Sequence, residues 1–266
     1  MTKRLPTVLL TMFVSLIVAH AGDAVVWYDG TLPVSYEVQG RRASVVDMAL
    51  RMFRSDMALV TGHEAVADRG GTIQIYQLDQ NSSSVATLRK LGIPVDSLLG
   101  RPDAFFVGLN TPHTPNSKPH ILVVGNNGRG TAYGLLELSR QAGVSPWVWW
   151  GDVLPHTRSR LTLPEDFRTL QSPSVQYRGI FINDEDWSFR QWKAPSAIAG
   201  VDEAGRIGPE KYRRLFELLL RLRANTLWPA MHEGTEGFFT VNGNKALADS
   251  FGIVVGTSHC EPLLRN

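Results

Sequence analysis

The sequence predicts an α/β protein with an N-terminal α/β domain over residues 22–170 and a second unit over residues 171–266. Two observations predict this class. Short apolar runs alternate with amphipathic helical stretches along the chain. In the second unit the apolar runs are also nearly continuous, which is typical of parallel strands covered on both faces and joined by helices.

The first unit contains alternating strand and helix signals. Strands are predicted at residues 72–78, 104–109 and 120–125, and helices at residues 44–55, 83–91 and 131–141. In the first helix, apolar residues from Val45 to Phe53 recur every three or four positions, which places them on one face. A Pro- and polar-rich stretch at residues 163–174 is predicted to separate the two units.

The second unit follows the order β, α, β, α, β. Its strands are predicted at residues 177–183, 226–231 and 253–256, with one helix starting at Pro209 and another over residues 245–251. Such an arrangement belongs either to a doubly wound sheet or to a (β/α)₈ barrel. A barrel needs about 250 residues, so the end of the chain at Asn266 is expected to be a truncation.

The first 21 residues have the features of a signal peptide. Lys3 and Arg4 precede an apolar run over residues 8–18, and Ala19-His20-Ala21 supplies a small-x-small cleavage pattern. The run is about half the ~20 residues that a membrane-spanning helix needs. We therefore expect a secreted or periplasmic protein.

The mature chain is expected to be electrically neutral and free of internal disulfides. Removing residues 1–21 takes two of the 27 basic residues and none of the 25 acidic ones, which leaves 25 of each. Nucleic acid and anionic membranes are therefore poor candidate partners. The single cysteine, Cys260, cannot form an internal bridge, so a hydrophobic core must stabilise the fold.

Polar and aromatic residues follow each strand of the second unit. They form three runs, Asn-Asp-Glu-Asp-Trp at 183–187, Trp-Pro-Ala-Met-His-Glu at 228–233 and Thr-Ser-His-Cys-Glu at 257–261. Parallel strands bring their carboxyl ends to one edge, where ligands bind. Paired carboxylates and flat aromatic rings suit the hydrolysis of glycosidic bonds. A solvated charged turn is the alternative for the first run alone.

Other interpretations of these residues are weaker. His232 and His259 could bind a metal ion, but neither an HxH nor an HExxH spacing is present. Cys260 beside His259 could be a nucleophile, although a lone cysteine in an exported protein is more often a small buried residue.

Two runs in the first domain also have alternative interpretations. The glycine-rich run at 125–130 follows a strand and opens a helix, as phosphate-binding loops do, but its spacing favours a structural turn. The tryptophans at 147–150 could stack on sugars, although packing between the two units is the preferred interpretation.

Long uninterrupted segments resemble glycoside hydrolase family 115. They are YRGIFINDEDW from Tyr177, IGPEKYRRLFELLLRLRANTLWPAMHE from Ile207, GIVVGTSHCEPLLRN from Gly252 and GRGTAYGLLELSRQAGVSPWVWWGDVLP from Gly128. The last segment also resembles, more distantly, the N-terminal domain of family 67 α-glucuronidases. The similarity covers nearly all of the mature chain.

The resemblance implies a fold and an activity. The fold is an N-terminal α/β domain followed by a (β/α)₈ barrel, of which this chain would hold the first three strands. The activity is the inverting removal of glucuronic acid, or its 4-O-methyl ether, from glucuronoxylan or aldouronic oligosaccharides. The resemblance implies no metal and no other cofactor, and it implies a homodimer for the full-length protein.

Carried over to this sequence, the resemblance assigns a set of site residues. Asp184 and Glu185 are the candidate catalytic acids, and Asn183, Trp228, His232 and His259 are the candidate substrate contacts. Further acidic residues are expected on later strands, so the fragment itself is expected to be inactive. Two alternatives stay open, namely another exo-glycosidase such as a hexosaminidase and a non-catalytic secreted carbohydrate-binding protein.

Overall fold

The computed structural model describes residues 24–110, 119–183, 189, 207–229 and 236–257. Within them the strands are β1 (Ala24–Tyr28), β2 (Ser35–Gln39), β3 (Val66–Ala67), β4 (Ile73–Gln77), β5 (Phe105–Asn110), β6 (His120–Gly125), β7 (Leu161–Pro164), β8 (Arg168–Gln171), β9 (Gly179–Ile182), β10 (Thr226–Pro229) and β11 (Val254–Val255). The α-helices are α1 (Ser44–Thr61), α2 (Ser84–Lys90), α3 (Gly128–Gln141), α4 (Pro209–Arg221) and α5 (Asn244–Phe251).

The first domain is built on a six-stranded mixed sheet with the order β3-β2-β4-β6-β5-β8. The first four strands run parallel, whereas β5 runs antiparallel to both of its neighbours. Alternate residues of β5 enter different cores, since Phe105 packs with α1 and α3 while Phe106 packs with α2. The sheet is therefore covered on both faces in its centre, as the period-two pattern of strands requires.

The stretch at residues 163–174 was predicted to separate the two units, and for much of its length this prediction is wrong. It contains the end of β7, which pairs with β1, and the whole of β8, which pairs with β5 at the edge of the large sheet. Among the described strands β8 has one neighbour, and Leu170 within it is exposed. Its polar composition is typical of an edge strand that faces solvent, so local pattern alone made it resemble a linker.

The second unit has the predicted β, α, β, α, β order with all three strands parallel. β10 lies between β9 and β11 in a three-stranded sheet. Pro209 occupies the start of α4 and Glu210 lies in its first turn, which suit a helix N-terminus because the backbone N–H groups there lack partners and the helix dipole is positive. The parallel topology brings the three strand ends to one edge.

Coverage of both faces of this sheet, which the apolar pattern predicted, is wrong within the described residues. Leu227 is fully buried and packs against α4 and α5, but its neighbour Trp228 lies on the opposite face and is 51% exposed. Phe181 and Val254, which lie on the face of Trp228 by register, are also exposed. Within the described part of the chain one face of the sheet is therefore open, and a near-continuous apolar sequence does not distinguish an open face from a covered one.

None of the helices in the described ranges combines the length and the hydrophobicity of a membrane-spanning segment. The predicted signal peptide at residues 1–21 lies outside the described residues.

Candidate active site

The carboxyl edge of β9, β10 and β11 is the candidate site. Among the predicted site residues, Asn183 and Trp228 are described, and both lie at this edge. Asn183 directly follows the last residue of β9 and is partly buried. The other predicted residues, Asp184, Glu185, His232 and His259, lie outside the described residues, so their positions stay predictions.

Two aromatic rings stand side by side on the open face of the sheet. Trp228 on β10 is the register partner of Phe181 on β9. Their ring centroids are 6.3 Å apart and their planes are inclined by 86°, an edge-to-face contact, which is a favourable geometry for aromatic pairs. Both rings are about half exposed, so the pair presents an apolar wall to any ligand at the strand ends.

A glycine on the third strand leaves room for the indole of Trp228. The backbone N–H of Gly256 donates to the Leu227 carbonyl at 2.9 Å, which continues the β10–β11 pairing by one residue. A Cβ atom on Gly256 would lie 3.1 Å from Cδ1 of Trp228. The missing side chain therefore allows the indole to lie against the backbone of β11, and Trp228 is flanked by both neighbouring strands.

The opposite, amino edge of the sheet is anchored on one buried carboxylate. Asp103, which follows α2 and precedes β5, is 1% exposed at its side chain and accepts hydrogen bonds from four side chains. These donors are Arg178 at 2.8 Å, Arg129 at 2.9 Å, Asn225 at 3.0 Å and Asn127 at 3.1 Å. Arg178 immediately precedes β9 and Asn225 immediately precedes β10. The first domain therefore holds the starts of both strands through Asp103.

The charge on Asp103 is stabilised by these donors. Burial by itself raises the pKa of the carboxyl group, but the hydrogen bond from Arg178 and the positive charge of Arg129 outweigh it and lower the pKa. The backbone of Asp103 has a φ of 62°, a left-handed conformation that Asp and Asn adopt more readily than most residues. Nothing local in the sequence marks this residue, and prediction from pattern missed it.

Two further hydrogen bonds complete the anchoring of the amino edge. The Tyr133 hydroxyl donates to the Ala224 carbonyl at 3.0 Å, just before β10, and Arg129 donates to the Gly252 carbonyl at 3.0 Å, just before β11. Desolvation raises the pKa of Tyr133, so its hydroxyl stays protonated and can donate. All three strands are thus tied to the first domain at the end away from the candidate site.

Two buried ion pairs reinforce the same interface. Asp56 of α1 accepts two hydrogen bonds from Arg221 of α4, at 2.8 and 2.7 Å, and both side chains are almost fully buried. Arg223 pairs with the buried Glu137 of α3. Burial raises the pKa of Glu137, but the hydrogen bonds from Arg140 and Gln141 lower it by more. The two units therefore pack through specific charged contacts as well as through apolar ones.

Trp149 and Trp150 of the run at 147–150 pack between the two units, as predicted, whereas Trp147 is 49% exposed. Trp150 donates its indole N–H to the Arg214 carbonyl at 3.2 Å and stacks on Phe189 with ring centroids 6.0 Å apart. The guanidinium of Arg214 lies 4.0 Å from the ring centroid of Trp149. These rings fix α4 against the first domain.

The glycine-rich run at 125–130 is a structural turn, as the spacing favoured. The Asn127 side chain caps α3 by accepting the Gly130 N–H at 2.9 Å. A Cβ atom on Gly130 would lie 2.3 Å from the Ala104 carbonyl oxygen, so a larger residue would push the helix away from the strand.

Within the described ranges no cluster of three His, Cys, Asp or Glu residues could hold a metal ion.

An α/β domain packed against a parallel β/α unit is a fold that this chain shares with solved glycosidase structures. A β-hexosaminidase of Streptomyces plicatus matches with a TM-score of 0.52 at 12% identity, over 89% of this chain and 42% of that one. A family 20 β-N-acetylhexosaminidase of Streptomyces coelicolor A3(2) matches with a TM-score of 0.52 at 10% identity, over 89% and 43%. At these identities the likeness is one of fold alone.

Two further comparisons identify the family to which the chain belongs. Residues 170–266 match the model of glycosyl hydrolase family 115. The chain is also 42% identical, with a TM-score of 0.76, to BtGH115A, a family GH115 4-O-methyl-α-glucuronidase with specificity for decorated arabinogalactans. The match covers 90% of this chain and 30% of that one. The chain belongs to glycosyl hydrolase family 115. No curated protein sequence matches it significantly.

Proposed function

We propose that the protein is an exported α-glucuronidase that releases glucuronic acid, or its 4-O-methyl ether, from a plant polysaccharide. The observation that carries this proposal is the half-exposed Trp228 against Phe181, at the edge where the parallel strands of a family 115 chain end. An indole face packs well against the apolar face of a sugar ring. The 42% identity to a 4-O-methyl-α-glucuronidase supports the same reaction.

The proposed chemistry uses the polar run that follows β9. An inverting glycosidase needs a protonated carboxyl group and a second carboxylate about 6.5–9.5 Å apart, with a water molecule between the latter and the sugar. Asp184 and Glu185 are proposed as acids of this pocket. Asn183 is proposed to bind a ring hydroxyl, and His232 and His259 to bind the hydroxyls or the carboxylate of the uronic acid.

Two polysaccharides are candidates for the polymer that carries the uronic acid. Glucuronoxylan is the substrate that the family resemblance suggests. Arabinogalactan is the second, because the 42% identical family member is described as specific for decorated arabinogalactans. Both carry the same uronic acid, so the candidates differ in the sugars next to it and not in the pocket for the acid itself.

We also propose the cellular location, the fold and the oligomeric state of the intact enzyme. The basic residues and apolar run of segment 1–21 support export to the periplasm or the outside of the cell, where such polysaccharides occur. The parallel β/α order supports a (β/α)₈ barrel in the intact enzyme, and a homodimer is proposed for it on the family resemblance. No cofactor is proposed.

The test measures uronic acid released by the purified full-length enzyme from aldouronic oligosaccharides and from decorated arabinogalactan. Proton NMR of the first product identifies inversion at the anomeric carbon. Asp184→Asn and His259→Ala are each expected to reduce turnover at least about a hundredfold with unchanged unfolding curves, whereas Asp152→Asn, at an exposed position, is expected to retain full activity.

Three results would contradict the proposal. Release of N-acetylhexosamine instead of uronic acid would indicate a hexosaminidase. Binding to xylan without any hydrolysis would indicate a carbohydrate-binding protein. Full turnover in both site variants would show that the site lies elsewhere.

A further inference from the structure

A second, positively charged cavity lies where α1 of the first domain meets α4 of the second unit. Its volume is about 180 Å³. Four arginines line it, Arg51 on α1 and Arg213, Arg214 and Arg221 on α4, together with Trp149. Because α4 packs on the covered face of the three-stranded sheet, the cavity is separate from the open face that presents Trp228.

Two of these arginines are held by acids and form the frame of the cavity. Arg221 is paired with Asp56, and Arg214 with Glu217 at 2.8 Å. These ion pairs hold the guanidinium groups of Arg221 and Arg214 in place before a ligand binds. The Nε atom of Arg221 is nevertheless buried without a hydrogen-bond partner in the described parts of the chain, and such groups in folded proteins call for an explanation.

The other two arginines are not held in short ion pairs by the described residues, and Arg51 is exposed. Arg51 forms no ion pair with any residue that the structure describes. Arg213 is 3.8 Å from the exposed Glu210, which is a weak surface pair. The cavity therefore favours an anion.

Aromatic and apolar side chains also line the cavity. Trp149 has the Arg214 guanidinium over its ring at 4.0 Å, and Met48 and Met52 of α1 line the same cavity. A designed cavity of about 150 Å³ admits benzene, so a cavity of about 180 Å³ accepts one six-membered ring. Arginine forks match the planar geometry of carboxylates. The combination suits a ring that has apolar faces and carries a carboxylate.

We propose that this cavity is a second binding site for a uronic acid residue, separate from the catalytic site. Arg51 and Arg213 bind the carboxylate, and Trp149 and the methionines contact the ring. The choice of a uronic acid over other anions rests on the proposed function, because a polysaccharide that carries one such residue usually carries several. A second site would hold the enzyme on its polymer between cleavage events.

The test is calorimetric titration of the full-length protein with D-glucuronate, D-glucose and inorganic phosphate. Losing one charge-assisted hydrogen bond costs enough to weaken binding about tenfold or more. Arg51→Gln and Arg213→Gln are therefore each expected to weaken D-glucuronate binding at this site at least about tenfold. Arg54→Gln is the matched control, since Arg54 lies on the same helix but pairs with Glu64 on the surface, and it is expected to bind as the wild type does.

The catalytic site also binds glucuronate, so Trp228→Ala separates the two. This variant is expected to retain the binding that depends on Arg51. The inference is overturned if neither arginine variant weakens D-glucuronate binding, if Trp228→Ala alone abolishes all of it, or if phosphate or glucose binds equally well. If the wild-type enzyme releases no uronic acid but shows Arg51-dependent binding of D-glucuronate, the proposed function is refuted and this site is not.

Discussion

Replacing Asp103 by alanine removes the carboxylate that ties the first domain to the starts of β9 and β10. The change deletes four side-chain hydrogen bonds, two of them from guanidinium groups. It leaves Arg129 and Arg178 largely buried without their counter-charge, with only 25% and 21% of their side chains exposed. Breaking a buried ion pair from one side costs about 3–5 kcal/mol.

The lower end of that range is expected here, because both arginines reach some solvent and can be partly rehydrated. Asp103→Ala should therefore lower the free energy of unfolding by about 3 kcal/mol. Asp103→Asn keeps the shape and the left-handed backbone but loses the charge, and a loss of about 2 kcal/mol is expected. Urea unfolding followed by tryptophan fluorescence measures both values, with an unchanged dependence on urea concentration as the check on two-state behaviour.

A matched control separates the hydrogen-bond network from the backbone. Asp152 also has a positive φ, of 52°, but it is exposed and outside the network. Asp152→Ala therefore reports only the cost of placing alanine in the left-handed region, about 1 kcal/mol. If Asp103→Ala destabilises the protein no more than Asp152→Ala does, the anchoring role of Asp103 is refuted.

The pH dependence of the same variants gives an independent check. The pKa of Asp103 is lowered from its ordinary value of 3.8 in the folded state. A group with a lowered folded-state pKa contributes stability above its unfolded value and loses it as the pH falls through the folded value. The stability difference between wild type and Asp103→Asn should therefore be constant above about pH 5 and shrink at lower pH. A difference that grows on acidification would contradict this sign.

Three further changes test the interface and the sheet. Arg221→Met should lower the free energy of unfolding by about 3–5 kcal/mol, because it leaves Asp56 buried without its partner. The double variant Arg221→Met with Asp56→Leu should be within about 1 kcal/mol of wild type. If thermal unfolding shows the single and the double variant to be equally destabilised, the reasoning is contradicted. Tyr133→Phe removes the hydrogen bond donated to the Ala224 carbonyl and a longer one accepted from Arg178, and it should cost about 1–2 kcal/mol by urea unfolding. Gly179→Ala places a methyl group 1.8 Å from the Thr226 carbonyl oxygen and should lower the free energy of unfolding by about 2 kcal/mol or more. Gly151→Ala is the control, because its methyl group would make only ordinary van der Waals contacts. Thermal unfolding followed by circular dichroism compares the two.

Local pattern predicted the helices and the central strands well, because amphipathic spacing and capping are properties of neighbouring residues. β6 occupies the predicted residues 120–125, and α4 begins at the predicted Pro209. The edge strand β8 was missed, since a polar strand exposed on one side has no distinctive local pattern. The open face of β10 was also missed, because whether Trp228 is covered depends on residues far away in sequence.

Part of the candidate site could likewise be predicted from the sequence, and part of it depends on the tertiary structure. Its composition at the three strand ends and its membership of family 115 could be predicted from the sequence, since parallel strands fix which edge their carboxyl ends share. The structure adds the edge-to-face contact of Phe181 and Trp228 and the space that Gly256 leaves for the indole. These depend on strand register, which pairs residues 47 positions apart.

The sequence by itself determined the order of the elements in the second unit, the parallel direction of its strands and the chemical character of its carboxyl edge, because each of these follows from short-range periodicity and strand direction. Only the tertiary structure decided what anchors that unit. Asp103 meets Arg178 and Asn225 across 75 and 122 residues, and the charged cavity forms from two helices of different units. Such contacts are pairwise and long-range, so no local pattern of residues carries them.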